Sequence, residues 1–186
     1  MKLIRWQAMD IVWIPRDGSL VDLRVDFPRG MRQEAGEIAH RMLIESVMRI
    51  VGADILGEPA NLFNLIDRIY QDSTEGRVIE LAFGTTTASL KHEKMRRKHL
   101  NLRSEAYHVS GKAGLGTPIE PFRLAVEWDV REGRDIVARP EAQFFGSARL
   151  TVAANPMLPE VVVRKCRGRA DFAFVRSRIA FHLGAT

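Results

Sequence analysis

Tyr107, His108 and Lys112 fall within one short stretch. An imidazole acting as general base beside a lysine that stabilises an oxyanion is the apparatus of metal-independent phosphodiester cleavage, so this stretch offers a nuclease reading. The remaining candidate chemistry is sparser. Histidines stand at 40, 92, 99, 108 and 182, none with the paired spacing of a zinc site around Cys166, so neither a metal nor a cofactor is expected. Cys166 lies between Lys165 and Arg167, whose charges favour a thiolate, but it lacks an assignable His partner and reads as incidental. No Gly-x-Ser-x-Gly elbow occurs.

Two further patterns resolve into plainer readings. Ser110 to Gly116 is glycine-rich, yet Ala106 stands where a phosphate-binding loop needs glycine, and Pro118 follows where its helix would start. The segment 110–118 therefore reads as a flexible loop, with Lys112 as an anion contact. Glu120, Glu127, Asp129, Glu132 and Asp135 cluster around one expected strand and suggest cation binding or acid–base work. Interleaved Arg123, Arg131 and Arg134 make ion pairing the simpler account. No residue is assigned a catalytic role.

Charge is the stronger signal. The net charge is +5, but residues 91–103 alone carry +5, from Lys91, Lys94, Arg96, Arg97, Lys98 and Arg103 against Glu93. Residues 161–186 carry another +5, from Arg164, Lys165, Arg167, Arg169, Arg176 and Arg178 against Asp171, which leaves the rest of the chain at −5. Clustered cations raise the local potential and release counterions from phosphates. Read as a strand, 172–183 would place Phe172, Phe174, Arg176, Arg178 and His182 on one face, the mixture that stacks bases and grips phosphates. Read as a helix, the same segment aligns Phe172, Val175, Ile179 and Leu183. The strand is the expectation, because β-branched and aromatic residues dominate.

These residues need a scaffold, and its periodicities are readable. Residues 19–27 alternate as a half-buried strand, and Pro15 to Gly18 join it to the apolar run 11–14 as a hairpin. Ala35, Ile38, Ala39, Met42, Leu43, Val47 and Ile50 recur at helical spacing over 32–51. After Gly57, a second helix over 59–71 carries Leu62, Leu65, Ile66, Ile69 and Tyr70, with Pro59 in its first turn. Strands are expected at 77–83, 86–91, 100–107, 122–130, 144–152 and 161–164, with turns at 132–133 and 155–156.

The fold class that follows is α+β: an N-terminal β-hairpin, two consecutive amphipathic helices and a mainly antiparallel sheet on which they pack, all in a single domain over 1–186. A composition of 46% hydrophobic and 27% charged residues excludes a disordered chain. The lone cysteine excludes an internal disulfide, and no stretch has the roughly 18 apolar residues of a membrane span. The first 15 residues lack the apolar run of a signal peptide, so a cytoplasmic setting is expected. The leading functional expectation is a non-catalytic module binding RNA or single strands through the basic residues named above, Lys112, Phe172 and Phe174. The alternative is an assembly or adaptor subunit meeting an acidic protein partner. The nuclease reading at His108 and Lys112 comes third.

Overall fold

The computed structural model describes residues 9–16, 20–28, 30–52, 56–97 and 99–184, and these gather into two compact units, 1–59 and 60–186. The α+β class is observed, with the hairpin, five helices and a five-stranded antiparallel sheet among the described residues.

In the first unit, β1 (Ile11–Trp13) pairs antiparallel with β2 (Asp22–Arg24). The strand expected over 19–27 is thus shorter, and residues 17–19, which include half of the expected turn, lie outside the described residues. The helix expected over 32–51 is α1 (Gln33–Val51). Its Gly36 is required by contact: a Cβ there would lie 2.5 Å from Phe27 Cε2, so glycine lets the ring seat against the helix. Gly36 and Val47 are buried, while Ile38, Met42 and Ile50 of the same helix are exposed.

The second unit is built on α2 (Phe63–Gln71), β3 (Arg77–Gly84), β4 (Leu90–Lys94), a 3-10 turn (Leu102–Ser104) and α3 (Ala106–Leu115). Then come β5 (Glu120–Glu127), the hairpin β6 (Val130–Glu132) and β7 (Asp135–Ala138), β8 (Glu141–Phe145), the short α4 (Ala148–Thr151), β9 (Val162–Arg164) and α5 (Arg169–Leu183). The main sheet runs β4-β3-β5-β8-β9, every pair antiparallel. Alternation places Leu81 and Phe83, Leu124 and Val126, and Ala142 and Phe144 in one core with Leu65, Ile66 and Ile69 of α2 and Val175 of α5. Asn61 fixes the start of α2: its Oδ1 accepts the Phe63 N–H (3.0 Å) and the Leu158 N–H (3.2 Å), and its amide donates to Pro156 O (2.7 Å).

Several elements depart from the sequence reading. The strand expected over 172–183 is helix α5, because Asp171, Val175 and His182 are buried on one helical face while Phe174 and Phe181 are exposed. Composition favoured β, but burial is won at helical spacing. The segment expected as a strand over 100–107 is the 3-10 turn followed by α3, since the Asn101 and Glu105 side chains cap their first N–H groups. The flexible loop expected from 110 is helical as far as Leu115, and Gly116, at φ 66°, is the left-handed residue that ends it. The strand over 86–91 is displaced to β4 by a turn through Ala88 (φ 58°). β8 stops at Phe145, and α4 takes the rest of the strand expected over 144–152. Residue 146 must be glycine there, because a Cβ would lie 2.1 Å from Phe122 O. Pro59 lies ahead of α2, not in its first turn.

Candidate nucleic-acid interface

The basic run leaves β4 at Lys94, turns through Arg96 and Arg97, and returns to the fold at Leu102. Arg103 does not stay on the surface. Its guanidinium donates to the Tyr70 (2.8 Å), Glu75 (2.9 Å) and Gly76 (3.1 Å) carbonyls and to Ile69 O, which are the carbonyls that α2 and the following turn leave without partners. Burial pushes this arginine's pKa down while Asp72 and Glu75 pull it back. Arg103 is a strut that ties the run to α2.

Directly behind β4 lies a chain of four polar side chains. Lys112 donates to the Tyr70 hydroxyl, which is 2.8 Å from His108 Nε2, and His108 Nδ1 is 2.6 Å from Glu93 Oε2. Because an ammonium can only donate and a carboxylate only accept, Lys112 donates to the Tyr70 oxygen and His108 donates from Nδ1 to Glu93, with the Tyr70 hydroxyl and Nε2 bonded between them. His108 is 2% exposed, with both ring nitrogens engaged. Its backbone N–H also donates to Glu105 Oε2 (2.8 Å). One residue therefore holds two carboxylates, Glu93 by its ring and Glu105 by its main chain. The N–H groups of His108 and then Tyr107 hold the Glu105 carboxyl below the ordinary range.

Above this support runs a shallow groove lined by Glu93, Lys94, Met95, Arg96, Arg97, Leu100, Leu102, Glu105 and Tyr107. Leu102 is buried at its floor, whereas Tyr107 is 73% exposed. Lys91, Arg96 and Arg97 are exposed, and Lys94, 60% exposed, reaches Glu80 at 3.0 Å. Lys98 lies outside the described residues. No known protein family, curated protein or solved structure matches the chain. The groove must therefore be read from its own chemistry.

The second basic segment is arranged differently. β4 and β9 are the two edges of the main sheet, so Lys91 and Lys94 are separated from Arg164 by four interstrand spacings, about 19 Å. Lys165 bridges the buried carboxylates of Glu127 and Glu141, 2.7 Å from each. Burial disfavours its charge, but these hydrogen bonds outweigh burial and raise its pKa. Arg167 lies 3.6 Å from both Glu132 and Asp171, and Arg169 is exposed. In α5, Phe172 and Arg176 stay one turn apart on the same side while Phe174 points to the other, so the shared face of Phe172, Phe174, Arg176, Arg178 and His182 expected of a strand does not form. Phe174 packs edge-on to Trp128, with 6.0 Å between ring centroids. Burial and then Asp171 push the Cys166 thiol up, against the expectation drawn from its flanking cations.

Arg178 closes a cluster that sequence spacing had not revealed. Glu75, 2% exposed, accepts from the Trp128 indole N–H, from Arg178 Nε (3.1 Å to each oxygen) and a further guanidinium N–H, and from His182 Nε2 (2.9 Å). Asp72, Glu75 and His182 bring three ligand-type atoms within 4.8 Å of one another. A guanidinium already occupies the carboxylate, which is the wrong sign of neighbour for a metal ion. The cluster is a brace between the α2–β3 turn, the end of β5 and α5. The expected ion pairs are present near β5 as well: Asp129 is 3.9 Å from Arg131, as interleaving suggested, and 3.0 Å from Arg139, while Glu127 pairs with Arg77 and Lys165.

Proposed function

We propose that this protein binds single-stranded nucleic acid, RNA in the first place, through the groove between the end of β4 and the start of α3. The observation that carries the reading is an exposed aromatic ring, Tyr107, beside Lys94, Arg96 and Arg97 in one depression with an apolar floor. Cations that follow the backbone, and a ring on which a base stacks, are the two components of single-strand binding. His108 serves this site from beneath, and Lys112 turns inward to Tyr70.

The test is fluorescence anisotropy with labelled RNA, single-stranded DNA and duplex over a salt series. Three groove cations on a single strand give a slope of log K against log salt of about −2, at roughly −0.7 per phosphate, with Kd of about 1–100 µM at physiological salt. Arg96→Ala/Arg97→Ala leaves one cation and a slope near −0.7. Absence of binding at low salt, or an unchanged slope in the variant, rejects the proposal.

A second reading, an assembly subunit of a larger complex, draws on Ile38, Met42 and Ile50, which α1 leaves 54%, 61% and 82% exposed. It predicts a stable protein complex whose formation does not respond to added nucleic acid, seen by size-exclusion chromatography with light scattering.

A further inference from the structure

The groove contains two groups that a site for phosphates alone would not keep. Glu93 and Glu105 line it together with Lys94, Arg96 and Arg97, and both carboxylates are held from below by His108. A carboxylate repels a phosphate, and it contributes to binding a strand only where hydrogen-bond donors face it. In RNA those donors are the ribose 2′-hydroxyls and the base edges, and only the base edges differ from one nucleotide to the next. A carboxylate offers about four lone-pair positions, so the bonds from His108, with that of the Tyr107 N–H to Glu105, leave both groups with accepting capacity.

We infer that the groove selects guanine within a single strand, with Glu93 or Glu105 accepting the base's N1–H and N2–H and Tyr107 stacking on its ring. This rests on the single-strand reading above and adds the base to it. Guanine alone presents two adjacent donors on its Watson–Crick edge, spaced to meet the two oxygens of one carboxylate. Uracil presents one N–H flanked by two carbonyls, which a carboxylate repels. Adenine and cytosine each present one amino group beside an acceptor. The polarity of the groove fits the same ligand, because its arginines meet the phosphates on either side while its carboxylates meet the base. His108 acts here as a positioning residue, fixing both acceptors through one side chain and one backbone N–H.

The experiment measures anisotropy at fixed low salt for three labelled strands of equal length: oligouridine, oligouridine with two central guanosines, and the same strand with inosine in their place. Inosine removes the N2 amine and keeps N1–H. The guanosine strand is expected to bind about tenfold more tightly than oligouridine, within the range of one bidentate base contact, with inosine intermediate. This comparison uses the unaltered protein, so it does not depend on any variant folding. In Glu93→Gln/Glu105→Gln, which keeps a carbonyl acceptor at each position, the guanosine preference falls to within about twofold while oligouridine binds at least as well as before. Equal affinity for all three strands, or a preference that survives the double substitution, overturns the inference and leaves single-strand binding standing. No binding of any strand overturns both.

Discussion

Glu75→Gln is the most informative single substitution. The Glu75 carboxylate is 1% exposed and accepts from Trp128, His182 and Arg178. Glutamine preserves the shape and one acceptor, but it removes the charge and turns an amide N–H₂ toward those donors. Arg178, 31% exposed, recovers water, whereas Trp128 and His182 are buried and cannot. One of these buried donors keeps a neutral acceptor and the other keeps none; the lost charge assistance and the unpaired donor, at roughly 1.5 kcal/mol each, predict a cost of about 3 kcal/mol. With a urea m-value of about 2 kcal/mol/M, the midpoint falls by roughly 1.5 M. Tryptophan fluorescence is the assay, since Trp128 is a member of the cluster.

The same acid predicts a pH dependence. Burial alone would raise its pKa, but the bonds from Arg178, His182 and Trp128 outweigh burial and bring it below the ordinary 4.5. A depressed folded-state pKa contributes stability that is complete above the unfolded value and is lost as pH falls toward the folded one. The gap between wild type and Glu75→Gln is therefore full at pH 7 and narrows as pH falls from 4.5 toward the lower folded-state value, by at most about 1.4 kcal/mol per pH unit. A gap under about 0.5 kcal/mol at pH 7, or an equal gap at pH 7 and 3.5, would refute the argument.

Two other substitutions follow from the packing. Arg103→Met deprives the carbonyls of Ile69, Tyr70, Glu75 and Gly76 of their donor and costs about 3 kcal/mol. Hydrogen exchange accelerates across 69–78, while the salt slope of RNA binding stays as in the wild type because the charge faces inward; a reduced slope would place Arg103 in the interface. Gly146→Ala drives a Cβ into Phe122 O, costs about 2 kcal/mol, and lowers Tm by roughly 4–8 °C in a thermal melt, whereas an unchanged Tm would show that the β5–β8 corner relaxes freely.

The parts of the fold legible in the sequence are those whose burial follows a local period. Leu62, Leu65, Ile66, Ile69 and Tyr70 mark one face of α2, and all of them are buried. The run of β-forming residues after Gly76 marks β3, and the turn at 132–133 marks the β6–β7 hairpin. The helix over 172–183 is not legible locally because the decisive partner of Arg178 and His182 is Glu75, far away in the sequence. Gly111 and Gly114 suggested a loop, yet each helical glycine costs only about 1 kcal/mol, and α3 holds because His108 and Lys112, four residues apart, both reach Tyr70. The candidate site was half legible. Arg96 and Arg97 stand out by composition, but the groove needs Glu105 as a helix cap and Tyr107 beside it, and the stretch was read as a strand. The only available signal was a capping residue, Asn101 and then Glu105, ahead of each short helical turn.

The brace at Glu75 also sets a schedule. Glu75 and His182 are 107 residues apart, so at roughly 5–20 residues per second a ribosome needs between about 5 and 20 s to make the second after the first. In the later half of that interval, once β5 has been made, β3 and β5 can pair, but Glu75 still lacks the Arg178 guanidinium and the His182 imidazole. The growing chain must keep this end of the sheet open to water until α5 has been synthesised, which leaves α5 to close the second unit.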